Sequence, residues 1–590
     1  MIVLPLVALP LLLAGLLIAT RPPRPVRRAV LLVTLSATLA TATVLLWRVR
    51  DGAIVVHHLG GWPEPLGIAF AVDTFSALML TVTGLLTLVV CMFAVVTGDA
   101  DEPFFCPLVL VLTAGVNGAL MTADLFDLFV FIEIMLLPSY GLILLAHRGQ
   151  GRRAQVTAGR VYVTVNLLTS TLFLVGIALV YAGAGTVALS GLAGAGHRSP
   201  SATLGALIIL TALGIKGAVF PAHGWLGRTY PHLSPAVTAL FSGLHTKVAV
   251  YAIFRLYLLL FGHNRFAPVA TAVFAVSMAV GVFAALGEAD ARAILSLHMV
   301  SQIGYVLLGL SLLTTAGIAA GVFYLVHNII AKGALFLSVG AVEERYGRRP
   351  IGQVTGLLWR EPLTGVAFLA GALSLAGLPP FSGFVAKLAI ITAAFTAGQW
   401  AAGTAALLVS LFTLLSMLKI WGGSFLGRPD PPLAAHEGPR VGARLIAPIE
   451  RVRRRRPRAT RHVRLCPGGE RPMSWVTWPL RLLGFALWFA GQIVLANTRL
   501  VADVLVKADR TTPLVIRHTT RCRGDAEAAV LAILVSLTPG TLVLASTGHG
   551  RERHTIYVHA MYTERSDVVA GLTLLEDRML HALRRGGERT

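Results

Sequence analysis

The sequence predicts an all-α polytopic membrane protein with a small α+β domain at its C-terminal end. Three observations predict it. Of 590 residues, 55% are hydrophobic and only 13% charged. Apolar runs of roughly 18 to 25 residues recur along most of the chain, each long enough to cross a hydrocarbon core of ~30 Å. After residue 472 the pattern changes to short alternating segments and amphipathic periods, as in a small α+β domain.

Backbone groups in lipid must be satisfied within the chain, so runs this long read as helices rather than as barrel strands, which would alternate over about ten residues. The first run, MIVLPLVALPLLLAGLLIAT, lacks the basic start of a signal peptide and many helices follow it, so it reads as a retained span at 2–20. Further spans are expected near 29–47, 74–97, 105–122, 126–146, 160–182, 203–221, 236–261, 267–287, 292–312, 317–341, 363–397 and 402–425. The run at 363–397 is too long for one straight pass and is interrupted at Leu378-Pro379-Pro380, which makes it one broken helix and gives about thirteen crossings.

The net charge of +22 does not indicate nucleic acid, because the basic residues gather in short loops beside spans and in one long polar segment. The loops Arg21 to Arg28, Arg148 to Arg160 and Glu343 to Arg360, and the segment after residue 425, fall on one side of the membrane. That side is expected to be cytoplasmic, with the N-terminus outside. The four cysteines, Cys91, Cys106, Cys466 and Cys522, lie far apart without CxxC spacing and suggest neither a disulfide framework nor a metal site.

Residues 1–427 thus form a transmembrane domain, and 428–472, with RVRRRRPRATRHVRLCPGGERP, an arginine-rich cytoplasmic linker suited to lie on anionic lipid. Residues 473–590 open with an aromatic-rich membrane helix, WVTWPLRLLGFALWFAGQIVLA. A strand at PLVIRHT, a helix at DAEAAVLAILVSL, strands at GTLVLAST and HTIYVHAM around a GHGRER turn, and a helix at SDVVAGLTLLEDRMLHALRR follow.

Ionisable groups inside spans are rare and usually face a polar interior. Here Glu133 lies in DLFVFIEIMLLPSYG, Lys216 in TALGIKGAVFPAHGWLG, Lys247 in FSGLHTKVAVYAIFR, Lys332 in VHNIIAKGALFL and Lys387 in PPFSGFVAKLAI. His245, His327 and Asn328 accompany them. Lys419 and Arg255 sit near span ends and read as snorkelling side chains. Asp73, Asp124 and Asp127 lie near boundaries, where solvation and function fit equally well. Glu133, Lys216, Lys247 and Lys387 are deeper. A carboxylate beside a lysine in a low dielectric lets either group load or release a proton, so the series reads as a proton relay across the membrane midplane, filled in by histidines and water. Nothing in it requires a cofactor or a metal.

Helix breaks accompany two of the lysines. Pro221 follows Lys216, and Pro379-Pro380 precede Lys387, five crossings later. An interval of five reverses orientation, the arrangement of inverted five-helix repeats whose broken helices hold a midplane site.

ADLFDLFVFIEIMLLPSYGLIL, GIKGAVFPAHGWL, YPHLSPAVTALFSGLHTKVAVYAIFR, GEADARAILSLHMVSQIGYVLLGL, HNIIAKGALFL and LAGLPPFSGFVAKL together resemble the core of the proton-translocating antiporter-like subunits of complex I and of Mrp-type multisubunit cation/proton antiporters. LANTRLVADVLVKADRTTPLVIRHTT, LVSLTPGTLVLAS and TIYVHAM look like the E-type component of Mrp antiporters, so the first part resembles their D-type component. The resemblance implies that Glu133 and Lys216 are the acid–lysine pair, Lys247 and Lys332 the relay lysines of the eighth and eleventh helices, and Lys387 the terminal lysine on the broken twelfth. It further implies a bacterial plasma-membrane transporter subunit, not an enzyme by itself, that assembles with A, C, F and G type subunits and exchanges Na+ for H+.

Three departures stand out. Asn328 replaces the second histidine of a pair that many relatives carry, with His327 kept. The arginine-rich linker stands where the D-type component usually has a fourteenth helix, and the E-like unit lacks the helical hairpin before its last helix. A single crossing at 475–497 puts the last domain outside, whereas the resemblance implies the cytoplasm. Either that helix lies in the interface or the count is off by one. Met473 reads like a separate start, so the linker marks a fusion or a frameshift as readily as an evolved joint. The alternative function is a proton-pumping subunit of a complex I-like or hydrogenase-type redox complex.

Overall fold

In the computed structural model, the structure describes residues 2–62, 67–145, 152–262, 266–347, 350–427, scattered positions from 481 to 495, and 514–538, 541–547, 554–560 and 565–584. The expected linker at 428–472 and the GHGRER turn lie outside these residues, as does most of the expected helix at 475–497, whose described positions are helical. The chain divides into two compact units, Met1–Arg455 and Arg456–Thr590.

Every expected span of the first unit is a helix or a broken helix. In order these are α1 (Pro5–Thr20), α2 (Arg24–Val49), α3 (Thr74–Thr97), α4 (Phe105–Met121), α5 (Leu125–Leu145), α6 (Arg152–Ala184), α7 (Pro200–Lys216) and the short α8 (Gly224–Thr229). They continue with α9 (Pro235–Gly243), α10 (His245–Phe261), α11 (Ala267–Gly287), α12 (Ala291–Ser311), α13 (Thr315–Tyr346), the one-turn α14 (Leu357–Arg360), α15 (Pro362–Ala376), α16 (Ser382–Thr396) and α17 (Trp400–Ile420). Polar caps fix several starts. The side chains of Asp73, Ser199, Ser234, Asp290 and Thr314 each accept from a backbone N–H two or three residues into α3, α7, α9, α12 and α13. Pro200, Pro235 and Pro362 occupy first-turn positions, where a missing N–H costs nothing.

Among the described residues nine helices are long and apolar enough to cross a membrane by themselves, counting α9 with α10 as one. The run at 363–397 breaks between α15 and α16, as expected. The run at 203–221 differs from expectation. Its helix stops at Lys216, and Pro221 lies in the turn before α8, so the lysine and the proline do not share a helix. A third break, at Leu244 between α9 and α10, carries no proline and was not expected. A small antiparallel hairpin, β1 (Val55–His58) with β2 (Ala69–Val72), joins α2 to α3.

The packing repeats. α4 packs on α5, α5 on α6 and α6 on α7; five crossings later α11 packs on α12, α12 on α13, and α13 on both α15 and α16. The centre of the bundle is α12, 94% buried over its apolar window, and the α9–α10 pair, 83% buried, against 33% for α2 and for α11. Polar side chains such as His245 and Lys247 on α10 and His298 on α12 are therefore deep in protein, out of reach of a headgroup.

The second unit is an antiparallel sheet in the order β3 (Leu514–Thr519), β5 (Thr555–Ala560), β4 (Thr541–Thr547), with α18 (Asp525–Leu537) and α19 (Arg565–Leu583). Leu514 pairs with Ala560 and Thr519 with Thr555, and a bulge between Val543 and Ala545 shifts the other edge. Ile516, Val558, Leu531, Val535, Met579 and Leu580 form its core. The βαββα order matches the sequence reading element by element.

Candidate functional site

Glu133 on α5 and Lys216 at the end of α7 come together through α6. Lys216 Nζ donates to Ser170 Oγ at 3.3 Å and to Asn166 Oδ1 at 3.4 Å, and Ser170 Oγ donates to Glu133 Oε1. The acid and the amine thus meet through a hydroxyl instead of in a direct ion pair. Ser170 and Asn166 lie one turn apart on α6, which places both on the face toward α7. Sequence reasoning singled out neither.

The break after Lys216 leaves backbone groups without helical partners, and other residues satisfy them, as a membrane interior demands. Trp225 Nε1 donates to Ile215 O at 2.9 Å, and Phe220 N donates to Ser277 Oγ at 3.3 Å. Pro221 itself is exposed. His223, just beyond it, stacks on Phe220 with ring centroids 5.8 Å apart.

His245 opens α10 directly after the unforeseen break. Its Nε2 lies 2.8 Å from Ser139 Oγ on α5 and its Nδ1 3.3 Å from the Tyr162 hydroxyl on α6. Phe241 packs edge-on against the ring at 4.5 Å. Two residues on, Lys247 is fully buried, and its Nζ has no hydrogen-bond partner in the protein. An amine in that state is costly unless water serves it.

Lys332 on α13 is also fully buried and donates to Leu295 O on α12 at 2.8 Å. It stands within electrostatic reach of both Lys247 and Lys387. His327, one and a half turns before Lys332, turns to the second break. Its Nδ1 is 3.0 Å from Ser382 Oγ, and its Nε2 approaches Gly383, where an added Cβ would stand 2.9 Å from that nitrogen and 1.7 Å from Ser374 O. Asn328 points elsewhere and has no protein partner for either side-chain polar atom.

At the second break the lysine itself holds the freed backbone. Lys387 Nζ donates to Ala376 O and to Ser410 Oγ, each at 3.1 Å, and Ser410 Oγ donates to Ala376 O at 3.0 Å. Gly377 closes α15 at φ 85°, and a Cβ there would come within 2.8 Å of Lys387 Cδ. Pro379 and Pro380 are exposed in the turn. The Phe220-Pro221 and Pro379-Pro380 bonds are both cis.

The boundary charges sort differently. Arg255 does not snorkel: it pairs with Asp73 and donates to Ser76 Oγ at 2.9 Å and to the Tyr251 hydroxyl at 3.1 Å, tying α10 to the start of α3. Asp73 is thereby a cap and an ion-pair partner. Asp127 is buried against the Thr122 hydroxyl at 2.7 Å, and Asp124 Oδ1 accepts from Asp127 N at 2.8 Å, so both serve the start of α5. Lys419 is exposed and reaches the carbonyls of Leu286 and Glu288 at 2.8 and 2.6 Å, as a snorkelling side chain does. Among the described residues no group of three or more His, Cys, Asp or Glu could hold a metal ion.

The chain matches a family model for the membrane subunits of NADH:quinone oxidoreductase and the Mrp antiporter over residues 122–413, and one for a Na+/H+ ion antiporter subunit over 386–582. The D component of the Na+/H+ antiporter of Alkalihalophilus pseudofirmus is 39% identical over 64% of this chain and 78% of its own length. That of Bacillus subtilis is 33% identical over 65% and 78%. A chain of the Mrp complex from a Dietzia species is similar at 53% identity and a TM-score of 0.72, covering 73% of this chain and 80% of that one. A chain of respiratory complex I from Thermus thermophilus reaches 25% identity and a TM-score of 0.64 over 73% and 90%.

Proposed function

Since the chain belongs to the family of D-type Na+/H+ antiporter subunits, we propose that it is the proton-translocating component of a multisubunit monovalent cation/proton antiporter of a bacterial plasma membrane. It works in a multi-pass membrane domain beside other Mrp-type subunits, with the energy of one ion gradient driving the other ion across. Na+ and H+ are the transported ions. Residues 1–427 make up the D-like part, 428–472 a basic joint, and 473–590 an E-like part, which the second family match supports.

Protons pass along Glu133, Lys216, His245, Lys247, Lys332, His327 and Lys387. The observation that carries this reading is the bridge from Lys216 through Ser170 to Glu133, because a hydroxyl that accepts from one ionisable group and donates to the other can pass a proton between them. The buried, unpartnered amine of Lys247 supports the reading too, since a hydrophobic residue would fill that site at lower cost unless its ionisation were used. Pro221, in the turn that follows α7, and the Pro379-Pro380 pair, in the turn between α15 and α16, mark the two helix breaks beside Lys216 and Lys387.

A redox-complex component is the second reading, favoured by the likeness to the complex I chain. The E-like match argues against it. Vesicles containing the assembled complex test the first reading: Glu133→Ala and Lys216→Ala are each expected to abolish Na+-dependent proton exchange. Full exchange by either variant would show the relay assignment wrong, and Na+-independent pumping coupled to electron transfer would favour the second reading.

A further inference from the structure

α12 and α13 are antiparallel neighbours whose register four contacts fix. Gly309 lies against Gly317, where an added Cβ would be 2.6 Å from the Gly317 carbonyl oxygen, and Gly321 lies against Val306, with 2.8 Å to its carbonyl oxygen. Farther along, the Tyr324 hydroxyl donates to Gln302 Oε1, and Lys332 Nζ donates to Leu295 O at 2.8 Å. Between the last two contacts, the same register sets Asn328 on α13 opposite His298 on α12.

Both residues are fully buried. Neither ring nitrogen of His298 and neither polar side-chain atom of Asn328 has a hydrogen-bond partner in the protein. The same holds for Ser301 Oγ, Gln302 Nε2 and His327 Nε2 on the two helices. An orphaned buried polar atom costs roughly 1–3 kcal/mol, so a concentration of them persists in a folded protein only where water completes their hydrogen bonds.

Along α12, Leu295, His298, Gln302 and Tyr305 follow at intervals of three, four and three, which aligns them on one face. Lys332 is bonded at the Leu295 end, and the Lys387 ammonium lies 5.1 Å from the centre of the Tyr305 ring at the other. His298 stands between two lysines and within electrostatic reach of both. His327 sits at the Lys387 end of this stretch, where Ser382 and Gly383 hold it toward the second break, and so leaves the gap beside Lys332 unfilled. No carboxylate appears among these contacts; the groups that bound the stretch are Lys332, Lys387, His327, Tyr305 and Tyr324.

Building on the relay proposed above, we infer that His298 is a proton carrier of that relay, passing protons between Lys332 and Lys387 where Asn328 offers no imidazole. One ring nitrogen takes the proton that the Lys332 ammonium releases, leaving a neutral amine. The opposite nitrogen gives its proton through water to the neutral amine of Lys387, and the imidazole is left as the other tautomer, which a ring turn or a reverse transfer resets.

The test uses the assembled complex in vesicles. Glutamine keeps a polar side chain of similar size that hydrogen-bonds to the same water but neither takes up nor releases a proton at any ordinary pH. His298→Gln is expected to leave assembly unchanged by size-exclusion chromatography and to lower Na+-dependent proton exchange at least tenfold. Adding Asn328→His returns an imidazole to the facing position and is expected to restore exchange to within about threefold of the parent, since a proton path needs the carrier more than its helix of origin. His298→Asn serves if the glutamine variant fails to assemble. An assembled glutamine or asparagine variant with exchange at the parent rate overturns the inference, and so does a failure of Asn328→His to restore it. Glu133→Ala run in parallel separates the two levels: if it too keeps exchange, the relay falls; if it alone loses exchange, only the role of His298 falls.

Discussion

Removing one oxygen atom, the Ser170 hydroxyl, is expected to disconnect the acid from its lysine. Ser170 Oγ accepts from Lys216 Nζ at 3.3 Å and donates to Glu133 Oε1, so Ser170→Ala deletes both bonds in one step. The helix should not suffer, because alanine is the best helix former. Hydrogen bonds to charged groups are worth roughly 1.5–3 kcal/mol each. Lys216 keeps Asn166 Oδ1 at 3.4 Å, and a water fitting the vacated volume recovers part of the loss. A net rise of about 1.4 to 2.8 kcal/mol in the transfer barrier follows, or roughly ten- to a hundredfold in rate at 1.36 kcal/mol per factor of ten. The assay is Na+-dependent dissipation of a proton gradient in everted vesicles carrying the assembled complex, followed with a pH-sensitive dye. Ser170→Thr keeps the hydroxyl with only a small loss of helix propensity and should stay within about threefold of the parent. Exchange at the parent rate in Ser170→Ala would refute the bridge as a step of the path.

Three further outcomes are expected. Lys247→Leu removes an unpartnered buried amine, so the complex should melt no lower than the parent, and by about 1–3 kcal/mol of relieved burial it should melt higher, while exchange is lost; a melting point in detergent beside an exchange rate separates the two effects. Gly377→Ala forces a Cβ onto a left-handed residue and against Lys387 Cδ, which should cost about 1–3 kcal/mol in the same melting assay and slow exchange; an unchanged melting point would show that the turn relaxes freely. In the second unit, burial alone would raise the Glu576 carboxyl, but hydrogen bonds from His518 and from the Arg521 backbone N–H hold it below the usual carboxylate range. A lowered acid stabilises the fold above the pKa of the unfolded chain and loses that contribution as pH falls through the folded value, so the hydrogen-exchange protection of β3 and β5 in the full chain, taken relative to the intrinsic rate at each pH, should fall on acidification in the parent and much less in Glu576→Gln.

The spans were legible because lipid leaves the backbone one solution and the apolar runs state its length. Caps such as Asp73 and Asp290 and first-turn prolines set helix starts within a few residues of the expected ones. The second unit was legible for a different reason, its alternation of strand residues. What the sequence concealed were polar residues of ordinary appearance. Thr83, Thr87 and Thr113 in other spans bond back to carbonyls four residues earlier, and nothing in the letters separates Ser170 from them. Only the three-dimensional meeting of α5, α6 and α7 gives its hydroxyl two charged neighbours. The break at Leu244 has neither proline nor a polar cap of its own, so the continuous apolar run around it reads as one helix. Arg255 looked like a side chain seeking headgroups because its partner, Asp73, is far away in sequence. His298 was hidden by the same ambiguity: an isolated histidine in an apolar run acquires meaning only from the register of the facing helix.

The two broken helices differ in what fastens them. At the first, an indole ring that never changes charge adds a second hydrogen bond to the Ile215 carbonyl, which the Ala218 N–H already holds. At the second, the Ala376 carbonyl is fastened by the Ser410 hydroxyl and by the Lys387 amine, a group whose charge would change in the proposed relay. A neutral amine grips a carbonyl more weakly than an ammonium does, so in the proposed relay the lysine's share of the clasp would tighten on protonation and slacken on release, beside the constant Ser410 bond. If the proposed relay holds, the first break is a fixed frame and the second a joint whose fastening follows the charge of Lys387.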